Sequence, residues 1–272
     1  MPTHLSVWLG AMCLALVPGW ALGMGSCERI VATGVAGQPP YLWQDLENPE
    51  RLIGASADLV RLLANELGLK VDILASGTAE QAEQEVASGR VDLLINTRLS
   101  LPLLERMDFI HPPLHETPSV IWAAKGRHFG YLGRDDLQGR QGIHVAETLI
   151  PSSERFVRGE LQLDTVSDLS LAWSKLLEGH ADFLLYERYR GQAEALRLGL
   201  ADELEVFEPA IYSAGLYLAL SHASVCNEAW LRGQLAKKLT ESALQETAER
   251  LLAENLQRWA GQQLQMDADV SQ

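Results

Sequence analysis

The densest group of side chains able to do chemistry is Asn96-Thr97-Arg98. It follows the apolar run Val91–Ile95, which suits a buried parallel strand. An amide, a hydroxyl and a guanidinium at one strand end could hydrogen-bond a polar ligand, and a guanidinium grips a carboxylate with a two-pronged fork. The same groups could instead cap backbone or pair with surface carboxylates. Tyr41 and Trp43 could stack a ligand or cap an edge of the fold. Glu187 could be a site carboxylate, or could pair with Arg188 or Arg190 at a helix start. His111 and His115 flank Pro112-Pro113, with Glu116 adjacent. Those prolines forbid the helical face on which histidines four apart share a metal, so neither metal nor other cofactor is expected. The chain has no Gly-x-Ser-x-Gly, no His-Glu-x-x-His and no phosphate-cradling Gly-Lys-Ser/Thr. No catalytic residue is expected, although plentiful carboxylates leave acid–base chemistry open.

The elements that must position these residues alternate. Glu28–Gly34 reads as a strand. Ala57–Leu67 reads as a helix with Leu59, Leu62, Leu63 and Leu67 on one face and Gly68 as its stop. Leu69, Val71 and Ile73 alternate as in a strand. Thr78–Ser88 is a second helix, stopped at Gly89, and Val91–Ile95 a third strand. The order recurs with a strand at Gly142–Ala146, a helix at Ser167–Leu177 and a strand at Ala181–Tyr186. The tail from Ser224 is helical, with a break near Ser242. Strand–helix alternation argues for an α/β parallel sheet. Glu85–Leu94 and Lys175–Leu185 echo each other, each with a helix stopped at Gly and an Asp opening an apolar strand, which suggests two halves of similar construction.

The chain has 272 residues, 22 Lys+Arg and 36 Asp+Glu, for a net charge of −14. With 47% apolar residues it can build a core. So acidic a chain is not expected to bind nucleic acid, which needs a basic face, or an anionic membrane surface. Leu5–Val17 is almost wholly apolar, Pro18-Gly19 ends the run, and Ala21-Leu22-Gly23 has the small-x-small form of a cleavage site. Residues 1–23 therefore read as a signal peptide, too short to span a membrane, although no Lys or Arg precedes the run. An N-terminal anchor or a buried helix is the alternative. A lipoprotein anchored at Cys27 is less favoured, because Met24 makes a poor lipidation signal. Once the segment holding Cys13 is removed, Cys27 and Cys226 are left. An even pair in an exported chain suggests one disulfide, with two unpaired thiols as the alternative.

Five stretches resemble, in order, motifs of solute-binding protein family 3, whose best-known members bind polar amino acids for ABC transporters. They are Gly34-Val-Ala-Gly-Gln-Pro-Pro-Tyr41, Gly54-Ala-Ser-Ala-Asp58-Leu59 with Leu67-Gly68, Ser88-Gly89-Arg90-Val91-Asp92, Met107-Asp108-Phe109 with Pro112-Pro113, and Glu178-Gly179-His180-Ala181-Asp182. The resemblance implies an α/β, two-lobed type II periplasmic-binding-protein fold with two crossover strands and a central ligand cleft. Lobe 1 would comprise residues 24–122 plus 217–272 and lobe 2 residues 123–216. The chain would leave lobe 1 near Ile121–Ala124 and return near Leu216–Leu220. A periplasmic monomer is implied, capturing a small polar solute, such as an amino acid or a related compound, for an inner-membrane transporter permease.

The resemblance places Tyr41 and Trp43 on the first ligand-side loop, Asn96, Thr97 and Arg98 at a cleft-facing strand end, and Thr148 in the second-lobe turn. Glu187 aligns with the acid that holds a ligand's ammonium. The chain departs from the family where a Thr-x-x-Arg normally supplies the carboxylate-binding arginine. The stretch Thr97–Phe109 is one residue shorter, and Leu103 or Leu104 falls at that position. Arg98 and Arg106 flank the gap, and either could substitute. An enzyme on the same scaffold, dehydratase-like, and an accessory or sensory protein with a drifted cleft are the competing readings.

Overall fold

The computed structural model describes residues 27–127, 129–146, 157, 159 and 161–270, the side chains of 242, 243 and 267–270 apart. The expected signal segment 1–23 and Thr148 lie outside the described residues. Strands β1 (Arg29–Gly34), β4 (Lys70–Ile73) and β5 (Leu93–Thr97) form one parallel set. Strands β7 (Gly142–Val145), β8 (Leu163–Val166) and β9 (Phe183–Glu187) form another. Between them lie β6 (Met107–Ala124) and β10 (Leu204–Ser221), each 18 residues long. The sheet order is β4-β1-β5-β10-β6-β9-β7-β8, and a separate hairpin joins β2 (Trp43–Gln44) to β3 (Leu52–Ile53).

The strand–helix alternation has produced the two parallel sets, and helices cover both. The helix Ala79–Ala87 begins with a reciprocal cap, in which Thr78 accepts from the Gln81 N–H and the Gln81 side chain accepts from the Thr78 N–H. The helix Leu169–Glu178 begins at Asp168, which accepts from the Leu171 N–H, and stops at Gly179 in the left-handed region (φ 81°). Leu59, Leu63, Leu93, Leu218 and Leu231 join one apolar core; Val120, Trp122, Trp173 and Leu184 join another on the far side.

The two long strands carry the chain across, which makes the fold two-lobed with two crossovers. Antiparallel pairing of β6 with β10 runs from Met107↔Ser221 to Ala124↔Leu204 but is broken between Ile110 and His115. Pro112 and Pro113 sit in that gap and have no N–H to give the ladder. Beyond it, β6 pairs with β9 from Ser119↔Glu187 to Trp122↔Leu184. That pairing begins two residues before Ile121. β10 pairs with β5 from Tyr217.

A disulfide joins Cys27 to Cys226, with Cα atoms 5.0 Å apart across 199 residues of sequence. It pins β1 to the approach of the helix Ala229–Leu239. It also occupies the Cys27 sulfur that a lipid thioether would need. No helix among the described residues is long and apolar enough to cross a membrane.

Candidate functional site

The C-terminal ends of β5 and β9 face each other across the crossover strands, and the cavity between them measures about 170 Å³. Strand C-terminal ends are where open α/β sheets collect ligand groups. β5 contributes Asn96 and Thr97, followed by Arg98. Asn96 has φ 61°, a left-handed conformation that Asn tolerates better than most residues. Its side chain is buried, and neither the amide nitrogen nor the amide oxygen has a hydrogen-bond partner. A buried amide left unpaired is costly, so a ligand able to give and take hydrogen bonds suits this wall. Thr97 is buried beside it.

Arg98 meets solvent along much of its side chain, yet partial burial pushes its guanidinium pKa down. Tyr212 and Glu187 act in the opposite direction, while the positive Arg190 adds to the lowering. The group stays charged all the same, as arginine does in proteins. Among the described residues, neither Arg98 nor Arg190 has an ion pair. A narrower recess of about 20 Å³ continues between Arg98, Ser119, Tyr186 and Tyr212.

β9 ends at Glu187, which plays both parts the sequence left open. Its carboxylate caps the helix Arg188–Arg197, accepting from the Tyr189 N–H at 2.9 Å and the Arg190 N–H at 2.8 Å. It also lines the cavity and accepts from the Tyr41 hydroxyl at 3.0 Å, a contact between the lobes. Burial raises the Glu187 pKa; those three hydrogen bonds and the charge of Arg190 hold it down. Tyr41 is fully buried, and its hydroxyl pKa is pushed well up, first by burial and then by Glu187.

The structure thus brings Tyr41, Asn96, Thr97, Arg98 and Glu187 to one cavity. It does not bring Trp43 there. Trp43 is buried against the C-terminal helix Ser242–Val270, with its ring 5.6 Å from Trp259 and its Nε1 donating to Gln262 Oε1 at 2.9 Å. Tyr41 lies in the turn closed by the Gln38–Leu42 bridge, whereas Trp43 opens β2. Arg106 lines neither cavity wall; its exposed side chain follows the short helix Leu101–Leu104. Leu103 is buried in a core with Met107 and Ala219. Arg190 was not foreseen as a lining residue, nor were Gln38, Glu83 and Thr117. Its one legible signal was its place in the first turn of a helix that starts where a strand ends. Among the described residues, no group of three or more His, Cys, Asp or Glu could hold a metal ion.

Two α/β lobes joined by two long strands, with a polar cavity between strand ends, define a hinged small-molecule-binding protein. The family description "bacterial extracellular solute-binding proteins, family 3" matches residues 31–262, and the chain belongs to that family. Among solved structures it is similar to substrate-binding domain 2 of GlnP from Lactococcus lactis in an open conformation. That match has 16% identity and a TM-score of 0.68, over 86% of this chain and 99% of that one. It is also similar to the second substrate-binding domain of a putative amino acid ABC transporter from Streptococcus pneumoniae, with 14% identity and a TM-score of 0.67, over 84% and 99%. A histidine kinase sensor domain with similarity to periplasmic binding proteins matches at 21% identity and a TM-score of 0.54, over 86% and 96%. At these identities the likenesses concern the fold. No match was found among curated proteins.

Proposed function

We propose that the protein is exported, captures a small zwitterionic solute such as an amino acid between its lobes, and presents it to an ABC-type permease. The observation that carries this reading is one arginine from each lobe, Arg98 and Arg190, lining a single cavity without an ion-pair partner among the described residues. Two guanidinium groups beside an unpaired amide suit a ligand carboxylate. Glu83, which also lines the cavity, and the remaining lone pair of Glu187 suit an ammonium. The proposed lobes are 24–122 plus 217–272 and 123–216. The signal segment 1–23 and a site role for Thr148 belong to the same proposal.

The test is calorimetry and thermal shift of the mature, monomeric chain against amino acids, amines and small acids. A ligand at a hundred times its Kd stabilises by about 2.7 kcal/mol. Arg98→Ala and Arg190→Ala should each weaken binding at least about tenfold, the loss of one charge-assisted hydrogen bond. Silence across the whole panel would refute the reading. Delivery to a permease predicts ligand-dependent stimulation of its ATPase in vesicles; a sensor would give none.

One observation favours a second reading, an acid–base enzyme on this scaffold: the raised pKa of the buried Glu187. Against it, Glu187 already accepts three hydrogen bonds and starts a helix. Turnover of small carboxylic acids, followed by proton NMR, separates the two; product formation would favour the enzyme.

A further inference from the structure

A second cavity, about 350 Å³, opens at the hinge. Tyr41 stands between it and the cleft: Tyr41 lines the cleft cavity, and its ring lies 5.4 Å from that of His115 and 6.1 Å from that of Tyr189, both of which line the second cavity. The walls come from four places, one of them Leu59 on the helix Ala55–Glu66. Residues 112–116 belong to the crossover strand, where the proline pair interrupts the ladder. Leu239, Leu244, Ala248 and Leu252 come from the last two helices of lobe 1, and Tyr189 comes from the helix that Glu187 caps.

The chemistry of the walls is one-sided. The interior is lined with leucine, and no Lys or Arg is present. His115 is buried, only 4% exposed, and its Nε2 has no hydrogen-bond partner. Burial holds its pKa at about 3, so at neutral pH the ring is uncharged and one ring nitrogen is an acceptor. Two exposed carboxylates, Glu116 and Glu249, stand at the rim. Glu116 accepts from the Ser213 hydroxyl at 2.6 Å and keeps lone pairs to spare. An apolar chamber edged by two carboxylates, with one buried imidazole nitrogen idle, suits a molecule that is apolar at one end and a cationic donor at the other.

We infer that this hinge cavity is a second ligand site, specific for a small monoamine with an aromatic or branched aliphatic body. Its ammonium is held by Glu116 and Glu249 near His115, and its body packs among Leu239, Leu244 and Leu252. A molecule seated there touches Tyr189 of one lobe and the leucines of the other, so its affinity changes with the angle between them. Occupancy of the hinge therefore biases the cleft. That coupling, though not the site itself, rests on the cleft reading above.

The probe is 2-phenylethylamine, titrated calorimetrically into the mature chain alongside its neutral analogue 2-phenylethanol. Methyl NMR of the leucines locates the binding. The amine should bind with a Kd of about 1 mM or tighter, and the alcohol at least about tenfold more weakly. The double variant Glu116→Gln/Glu249→Gln changes only exposed side chains. It should lose at least about tenfold in amine affinity while leaving the cleft ligand's affinity unchanged. Arg98→Ala should do the reverse, weakening the cleft ligand and sparing the amine. No binding of the amine at about 10 mM would overturn the site. So would equal binding of the alcohol, or amine binding that the glutamine pair leaves intact, because the ammonium would then be held elsewhere. If no cleft ligand is ever found but the amine binds as described, the hinge site stands and only the coupling falls.

Discussion

Acidification should destabilise this protein through one residue, and His115→Gln should relieve it. His115 is buried between Tyr41 and the hinge cavity, and burial depresses its pKa from 6.5 to about 3. In the unfolded chain it titrates near 6.5. Between these values the unfolded state holds a proton that the native state refuses. Stability therefore rises with pH across this window, at up to about 1.4 kcal/mol per pH unit. At pH 7.5 the residue contributes almost nothing to the pH dependence. At pH 5 the native imidazole is still neutral, so the loss is set by the unfolded value alone and comes to about 2 kcal/mol. The assay is urea unfolding of wild type and His115→Gln at pH 7.5, 6 and 5, with the disulfide kept oxidised. Every other titrating group contributes equally to both proteins and cancels in the difference. Glutamine keeps a donor and an acceptor at the buried position but does not titrate. The difference in unfolding free energy should move by about 2 kcal/mol in favour of the variant between pH 7.5 and 5. A difference that stays flat would refute the reasoning, since it would mean that the ring is charged, or hydrated, in the folded protein.

Three further outcomes are expected. Tyr41→Phe removes a buried hydroxyl from a carboxylate and should cost about 1.5–3 kcal/mol in urea unfolding at pH 7.5. It should also raise the Glu187 pKa further, because the lost hydrogen bond was one of the influences holding it down. Reducing the Cys27–Cys226 bond frees a loop of about 200 residues and should cost up to about 5 kcal/mol; an unmoved urea midpoint would mean that the reduced chain ends hold each other without the bond. Gly191→Ala places a Cβ 2.5 Å from Trp122 Cζ2, and that ring is already held edge-on to Trp173 at 5.1 Å. Overpacking there should cost about 1–3 kcal/mol and shift tryptophan fluorescence, while an unchanged spectrum and midpoint would show that the ring can give way.

The parallel strands and the helices packed on them were legible because each is a local pattern. Leu59 and Leu63 share one helical face, Thr78 and Gln81 are spaced for a reciprocal cap, and Gly179 ends a helix where its φ of 81° is needed. The two crossover strands were legible only as regions near 121–124 and 216–220. Their residues alternate poorly because each strand leaves one core for another partway along, and β6 makes the change between Leu114 and Val120. The hairpin of β2 and β3 was missed, since two residues a side carry no period. In the cavity, Asn96, Thr97 and Arg98 were readable because they follow directly on a buried strand. Trp43 misled because an aromatic ring two residues from Tyr41 has the right chemistry for either destination. Its partners, Trp259 and Gln262, lie more than two hundred residues away, where local reading cannot reach.

The shortened stretch after Thr97 bears on what the cleft recognises. The short helix Leu101–Leu104 buries Leu103 in the core, and no side chain from that turn lines the cavity. On the proposed function, the guanidinium role passes to Arg98 from the strand end and Arg190 from the opposite helix. These two positive groups sit close enough for Arg190 to depress the pKa of Arg98. Like charges in a partly buried site are unfavourable unless an anion lies between them. The carboxyl of Glu187 cannot fill that role fully, because two backbone N–H groups and Tyr41 already claim it. A ligand carboxylate would supply the missing negative charge and would hold one arginine from each lobe at once. Binding should therefore favour whichever lobe angle brings Arg98 and Arg190 nearest each other. A neutral analogue that fills the same space should bind without changing that angle, and small-angle scattering with each ligand would distinguish the two cases.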